Sequence, residues 1–246
     1  MNINNMLNDY EEMGKKNGNN DNSVEELRKQ KEEELQERVN EACRQKDKRA
    51  EYEAFKRMPL NTMDMTLNDI KNTWSVEESK QVDKAIKFVY DFDKLNTGLY
   101  LYSKQSGTGK TTLASAIARA VYKHHSVPIF YGSEEYLLSK IRETYQENSS
   151  ISEDDYIKKI ARNKLVVIDE LGQNVSDWSI KTLKRLLDDM MNYNSILVVT
   201  SNYGLNDLAI RLLNNQSNNE NRTITQLLDR LKGMTEPVKF GDKSFR

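Results

Sequence analysis

The sequence has very few residues that could cross-link the chain or anchor it in a membrane. Cys43 is the single cysteine among 246 residues, which excludes an intrachain disulfide and a cysteine-ligated zinc module. No stretch approaches the ~18 uninterrupted apolar residues of a membrane-spanning helix, and the opening residues MNINNMLNDY are too polar for a signal peptide. We therefore expect a cytoplasmic protein without a membrane contact.

The chain also lacks an excess of charge of either sign. Its 37 Lys and Arg residues stand against 38 Asp and Glu residues, which gives a formal net charge of -1. This balance excludes a generally basic nucleic-acid coat protein and an acidic tail protein. Residues 1–58 hold 12 basic and 14 acidic residues, and the remaining chain holds 25 and 24. Any contact with DNA must therefore come from a local patch of basic side chains.

Residues 1–58 are predicted to form an N-terminal arm, because their aliphatic and aromatic residues are too sparse for a core. Residues 1–22, rich in Asn and Gly, are predicted to be disordered. A capping box at Ser23-Val24-Glu25-Glu26 predicts a long helix from there to about Arg57, which Pro59 would stop. A weak stripe along this helix suits reversible docking on a partner, and a solvated single helix fits equally well; the stripe comprises Val24, Leu27, Lys31, Leu35, Val39, Ala42, Lys46 and Ala50.

From about residue 80 the pattern alternates between short apolar runs and helical periodicity, which predicts an α/β three-layer domain with a parallel sheet. The predicted strands are Leu99–Tyr102, Val127–Tyr131, Leu165–Ile168 and Ile196–Thr200, with Val238–Phe240 as a possible fifth. The predicted helices are Thr111–His124, Glu134–Gln146, Ile151–Arg162 and Ser176–Tyr193. In such a sheet, ligands are expected at the carboxyl ends of the strands.

The strongest chemical signal is the segment Ser106-Gly107-Thr108-Gly109-Lys110-Thr111-Thr112, which directly follows a predicted strand and opens a helix. This context is that of a P-loop, whose backbone N–H groups and helix N-terminus bind phosphates. Lys110 would reach the β- and γ-phosphates, and the Thr111 hydroxyl would bind Mg²⁺. The segment departs from the consensus at one position, because Lys104 stands where the first glycine belongs.

Two further strands end in polar residues. Leu165–Ile168 is followed by Asp169 and Glu170, so that Asp169 could hold Mg²⁺ and Glu170 could activate the attacking water. Asn202 follows Ile196–Thr200 and could bridge the γ-phosphate and that water, or it could be an ordinary turn residue. Together these strand ends predict hydrolysis of a nucleoside triphosphate.

The motifs and their order resemble the AAA+ ATPase domain of DnaC/DnaI-type replicative helicase loaders, and IstB-type transposition ATPases share most of them. The resemblance covers about residues 55–246 and rests on Gly107-Thr108-Gly109-Lys110-Thr111, Asp169-Glu170-Leu171-Gly172, Thr200-Ser201-Asn202, Leu228-Asp229-Arg230-Leu231 and Ser244-Phe245-Arg246. It implies an AAA+ P-loop domain over residues 59–246, with a reduced or absent helical lid.

The resemblance also implies roles for individual residues. Lys110 and Thr111 would form Walker A, Asp169 and Glu170 Walker B, and Asn202 sensor 1. Arg230 would be the arginine finger that reaches a neighbouring subunit's nucleotide, and Arg246 would be the sensor 2 arginine. The alternative for Arg230 is a surface arginine paired with Asp229 or Glu236.

The resemblance therefore implies an ATP- and Mg²⁺-dependent loader of a hexameric DnaB-type helicase. The loader would self-assemble through its AAA+ domain and bind single-stranded DNA, and its residues 1–58 would dock on the helicase. The arm and the high Asn content favour a phage-encoded member. Two alternatives stay open. One is an IstB-like transposition helper that binds duplex DNA; the other is a non-hydrolysing, nucleotide-bound adaptor, which Lys104 would favour.

Overall fold

The computed structural model of the chain describes residues 21–59, 62, 65–146, 148–215 and 221–241. The chain divides into two compact units, residues 1–53 and 54–246. In the described part of the chain, no helix combines the length and apolar character needed to cross a membrane.

The first unit is described from residue 21 onward, and there it is a single helix. This helix, α1, spans Asp21–Phe55, so that Ser23 lies inside it and is not its N-cap. Residues 1–20, most of the segment predicted to be disordered, lie outside the described residues. Leu35 and Val39 are separated by one helical turn and are each 48% exposed, so part of the predicted stripe faces solvent.

The second unit contains a five-stranded parallel sheet, which confirms the predicted α/β class. Its strands are β1 (Gly98–Tyr102), β2 (Ile129–Ser133), β3 (Leu165–Leu171), β4 (Ile196–Ser201) and β5 (Thr235–Lys239), in the spatial order β2-β3-β4-β1-β5. β5 begins three residues before the predicted Val238–Phe240. It lies at the edge of the sheet, where Pro237 can be accommodated because only one side of the strand needs its N–H groups.

The helices of this unit are α2 (Leu67–Thr73), α3 (Val76–Tyr90), α4 (Lys110–His125), α5 (Glu134–Glu143), α6 (Glu153–Ala161), α7 (Asp177–Asn192), α8 (Leu205–Asn214) and α9 (Asn221–Met234). The sequence patterns predicted α4 to α7 within a few residues, whereas α2, α3, α8 and α9 were not predicted. Ser133, Ser152 and Ser176 cap α5, α6 and α7, because each side chain accepts a backbone N–H from the first turn.

Both faces of the sheet are covered by helices. Leu99 and Leu101 of β1 join a core with α2, α3 and α4, whereas Tyr100 joins the core formed with α5 to α9. The same alternation runs through β3 and β4, whose residues are almost all buried. The result is the three-layer arrangement that the uninterrupted apolar runs predicted. Of the residues that follow β5, only Phe240 and Gly241 are described, and the reduced or absent helical lid stays a prediction.

Candidate functional site

The loop between β1 and α4 is shaped to surround an anion. Gly107 and Gly109 have left-handed φ angles of 78° and 87°, and Gly109 is the N-cap of α4. A Cβ atom at Gly109 would lie 2.4 Å from the Trp74 ring, so the position requires glycine for space as well as for conformation. The N-terminus of α4 therefore points the N–H groups of its first turn and its positive dipole end into the loop.

Lys110 is held inside this loop. The residue is 7% exposed, and its Nζ donates hydrogen bonds of 2.9 Å to Ser103 Oγ and to the Gln105 carbonyl oxygen. These bonds hold the ammonium group within the ring of backbone that the loop forms. A buried cation at the start of a helix is well placed to neutralise phosphate charge.

The two acids predicted at the end of β3 have different environments. Asp169 is buried, and its Oδ1 accepts hydrogen bonds from Thr111 Oγ1 at 3.0 Å and from Thr200 Oγ1. Burial raises the pKa of Asp169, while the Thr200 and Thr111 hydroxyls lower it. Burial deprives the carboxylate of the water that would stabilise its negative charge. A divalent cation beside it would stabilise that charge instead.

Glu170 is exposed because β3 is irregular at this residue. The pairing of β3 with β4 shifts register between Ile168 and Leu171, and Glu170 has a left-handed φ of 60°. A bulge of this kind changes the direction in which a side chain points, and here it leaves Asp169 buried and Glu170 open to solvent. Adjacent acids that would otherwise occupy opposite faces of a strand therefore reach the same cavity.

One cavity of about 1030 Å³ brings most of the predicted site residues together. Asn202, which is half-buried directly after β4, lines the same cavity as the two acids. Lys104 does not line this cavity; it is exposed and lines a neighbouring one with Asn202 and Tyr203. The predicted residues in the large cavity are Ser106, Gly107, Thr108, Gly109, Lys110, Thr111, Thr112, Asp169, Glu170 and Asn202.

The segment before α2 supplies a wall that the sequence patterns did not reveal. Pro59 and Met65 of this segment line the cavity together with Trp74, which directly follows α2, and the three residues offer the apolar surfaces that a planar base requires. Arg119 of α4 donates hydrogen bonds to the carbonyl oxygens of Thr62 and Met65, which fastens this segment beside the phosphate loop. Nothing in the local sequence marks these residues, because the contacts join positions more than fifty residues apart.

A buried glutamate fixes the loop that follows the two acids. Glu134 is 1% exposed, and its Oε2 accepts the backbone N–H groups of Gly172, Gln173 and Asn174 at 3.1, 2.8 and 3.2 Å. Burial raises the pKa of Glu134, and the three N–H donors oppose that effect. Arg211 Nε donates to the Gly172 carbonyl oxygen at 2.8 Å, so the loop is clamped from two helices.

Of the two predicted arginines, Arg230 is described and does not line the cavity. Arg230 lies in α9, where its Nε donates to Asp188 Oδ1 of α7 at 2.8 Å. Its partner is therefore neither Asp229 nor Glu236, the two acids considered from the sequence, and Glu236 pairs with Lys84 instead. Arg246 lies outside the described residues.

The residues present fit Mg²⁺ bound together with a nucleotide better than a metal held by protein alone. Among the described residues there is no group of three or more His, Cys, Asp or Glu that could enclose a metal ion. Thr111 and Asp169 supply one hydroxyl and one carboxylate, and Mg²⁺ commonly takes its other ligands from phosphates and water.

The sheet order, the phosphate loop after β1 and the acids at the end of β3, which β4 separates from β1, define a P-loop nucleotide-binding domain of the AAA+ class. The model of one family, the IstB-like ATP binding proteins, matches residues 1–246, and the chain belongs to that family. The resemblance to DnaC/DnaI-type and IstB-like proteins is thereby confirmed.

Individual relatives are named helicase loaders. The chain is 27% identical over 135 residues to the replicative helicase loader DnaC of Buchnera aphidicola subsp. Baizongia pistaciae (strain Bp), and the match covers 54% of each chain. The matched region thus spans about half the length of this curated relative.

Two crystal structures share the fold. DnaI has a TM-score of 0.60 and 24% identity, covering 75% of this chain and 95% of its own. The DnaC helicase loader has a TM-score of 0.60 and 21% identity, covering 74% of this chain and 100% of its own. At these identities the likeness establishes the fold of the second unit.

Proposed function

We propose that the chain is an ATP-dependent loader that places a hexameric replicative DNA helicase of the DnaB type on single-stranded DNA. The observation that carries the proposal is the convergence of the phosphate loop, both acids and Asn202 in one cavity. The names of the curated relatives, both replicative helicase loaders, support the choice of partner.

In this proposal the cavity hydrolyses ATP. Lys110 balances the charge of the β- and γ-phosphates, and Thr111 and Asp169 hold Mg²⁺, which supplies positive charge against the phosphate oxygens when it is bound. Glu170 accepts a proton from the attacking water, and Asn202 orients that water. The new bond joins the water oxygen to the γ-phosphorus, and the bond to the β–γ bridging oxygen breaks to release ADP.

A transposition helper is the second candidate, because the family that the chain belongs to is named after IstB. Such a protein would bind duplex DNA and a transposase. Both parts of the chain have a near-neutral charge, and this charge favours neither single-stranded nor duplex DNA. Binding to single-stranded DNA and to duplex DNA of equal length, compared in the presence of ATP, separates the two functions.

The proposal assigns the helicase contact to the arm, residues 1–58. Leu35 and Val39 are large apolar residues on one face of α1, and each is 48% exposed. Apolar side chains exposed one turn apart on a helix are suited to the groove of a partner protein. A helix that stays solvated on all sides is not stabilised by exposed apolar side chains at these positions.

We expect the full-length chain to retain the replicative helicase of its source organism on an affinity column. Replacing both Leu35 and Val39 with Glu should reduce the retained helicase roughly 10-fold or more, because two buried charges would replace apolar anchors.

The matched control is Gln36→Glu with Asn40→Glu, which adds the same charges at the same spacing to another face of α1. Retention of the helicase by the control and its loss by the Leu35/Val39 variant support the proposal. Equal retention by both variants contradicts the assignment of this face.

The proposal also assigns Arg230 to a neighbouring subunit's nucleotide. Arg230→Ala should leave ATP binding by the isolated chain within about twofold of wild type. It should lower the turnover measured with helicase and single-stranded DNA by roughly 10-fold or more, because an arginine supplied in trans can contribute ~10³ to such a reaction. ATP binding and steady-state phosphate release measure the two effects.

Asp188→Asn provides the control, because it removes the charge of the partner that Arg230 contacts within its own chain. This variant should retain turnover if Arg230 acts in trans. If Asp188→Asn and Arg230→Ala lower turnover and thermal stability equally, the ion pair between α7 and α9 explains the effect and the trans role is wrong.

A further inference from the structure

Thr200 lies between the two acids of the site. It is the residue before the last of β4 and is 1% exposed. Its Oγ1 donates a hydrogen bond to Asp169 Oδ1 and accepts the backbone N–H of Glu170 at 2.9 Å. One hydroxyl has a single proton to donate and two lone pairs to accept with, so both functions can be used at once.

The contact with Glu170 coincides with the irregular part of β3. Regular pairing of β3 with β4 stops at Ile168 and resumes at Leu171, and Glu170 has a left-handed φ of 60° between them. A residue with a side chain rarely keeps such a conformation unless its surroundings stabilise it. The Thr200 hydroxyl stabilises it by accepting an N–H group that regular sheet pairing would otherwise engage.

The contact with Asp169 orients the other acid. Thr111 Oγ1 also donates to Asp169 Oδ1, at 3.0 Å, but the proposed function assigns the Thr111 hydroxyl to Mg²⁺. The Tyr131 hydroxyl also interacts with Asp169, but Thr200 additionally accepts the backbone N–H of Glu170, so Thr200 can hold both acids while Thr111 binds the metal. Thr200 is buried at the edge of the same cavity and can fulfil this role through its hydroxyl contacts with the two acids.

We propose that Thr200 is a positioning residue for ATP hydrolysis, whose single hydroxyl fixes the carboxylate of Asp169 and the backbone of Glu170 together. This inference rests on the proposed hydrolysis of ATP. It assigns different roles to two residues of the segment Thr200-Ser201-Asn202. Asn202 contacts the attacking water, whereas Thr200 orients the acids by hydrogen bonding to Asp169 and to the Glu170 backbone.

The test compares Thr200→Val, which removes the hydroxyl, with Thr200→Ser, which keeps it, in the full-length chain. Thr235→Val is the matched control. Thr235, the first residue of β5, is also buried, and its hydroxyl donates a hydrogen bond to the Leu231 carbonyl oxygen of α9. Two quantities are measured for each variant: phosphate release with helicase and single-stranded DNA, and the Mg²⁺ concentration that gives half-maximal tightening of ATP binding.

We expect Thr200→Val to lower kcat roughly 10- to 100-fold with little change in KM, and to raise the required Mg²⁺ concentration roughly 10-fold. Thr200→Ser should recover most of both losses, and Thr235→Val should match wild type. If Thr200→Val does not fold, Thr200→Ala replaces it in the same comparison.

Wild-type values for Thr200→Val in both measurements, or equal losses in the Ser and Val variants, would overturn the positioning role. If the wild-type chain releases no more phosphate than Glu170→Gln, the proposed hydrolysis fails instead. The Mg²⁺ titration then decides the role of Thr200 alone: a rise supports the contact with Asp169 as a positioning contact, and no rise overturns it.

Discussion

Replacing Lys110 with Ala should abolish tight binding of ATP. The Nζ of Lys110 lies in the phosphate loop, where it donates hydrogen bonds to Ser103 Oγ and the Gln105 carbonyl oxygen. The ammonium group is therefore already positioned to contact a phosphate bound in the loop. Loss of a buried cation from an anion site removes charge-assisted hydrogen bonds. We expect the Kd for ATP to rise about 100-fold or more, which corresponds to ~3 kcal/mol. Equilibrium binding of a fluorescent ATP analogue measures this change.

Lys104→Ala is the matched control, since it removes a lysine from the same loop. Lys104 is exposed and does not line the large cavity. Its replacement should leave the Kd for ATP within about threefold of wild type, because an exposed lysine outside the cavity contributes only a screened charge. Tight binding by Lys110→Ala, or an equal loss in both variants, would contradict the role given to the loop.

Replacing Glu170 with Gln should stop hydrolysis while ATP binding persists. The substitution keeps the size of the side chain and removes the carboxylate that accepts the proton of the attacking water. General base catalysis contributes ~10²- to 10⁴-fold to such reactions, so turnover should fall by that order. Glu170 is exposed and its backbone N–H is held by Thr200, so the variant should fold as the wild type does.

The measurement is phosphate release in the presence of helicase and single-stranded DNA, alongside ATP binding. Glu135→Gln, an exposed position in the first turn of α5 that does not line the cavity, is the control and should retain turnover. Should the wild-type chain release phosphate no faster than Glu170→Gln, the protein is a nucleotide-bound adaptor rather than an ATPase.

The elements of the fold that could be predicted are those whose residue pattern is visible within a short stretch of sequence. The apolar runs at Leu165–Ile168 and Ile196–Thr200 predicted β3 and β4, because strands buried on both faces need uninterrupted apolar side chains. α8 and α9 were missed because they lie between β4 and β5 on either side of an Asn-rich run of sequence at 214–221, which is not typical of helices. Their buried residues, such as Leu208 and Leu227, matter only through contacts with the rest of the core.

The same distinction applies to the cavity. Residues Ser106–Thr112 and the acids at 169 and 170 form contiguous motifs, and the sequence placed them at strand ends. The bulge at Glu170 could not be predicted, because it depends on a hydrogen bond to Thr200, thirty residues away. Glu134 was missed for the same reason: a lone glutamate has no motif, and its three N–H donors come from residues 172–174.

Transfer of the replicative helicase onto a closed circle of single-stranded DNA tests the central claim most directly. A closed ring cannot thread onto a closed circle, so recovery of helicase on the DNA reports loading. We predict that recovery requires both the full-length chain and ATP, and that Lys110→Ala does not support it. Equal recovery without the chain, or with Lys110→Ala in its place, would contradict an ATP-dependent loader.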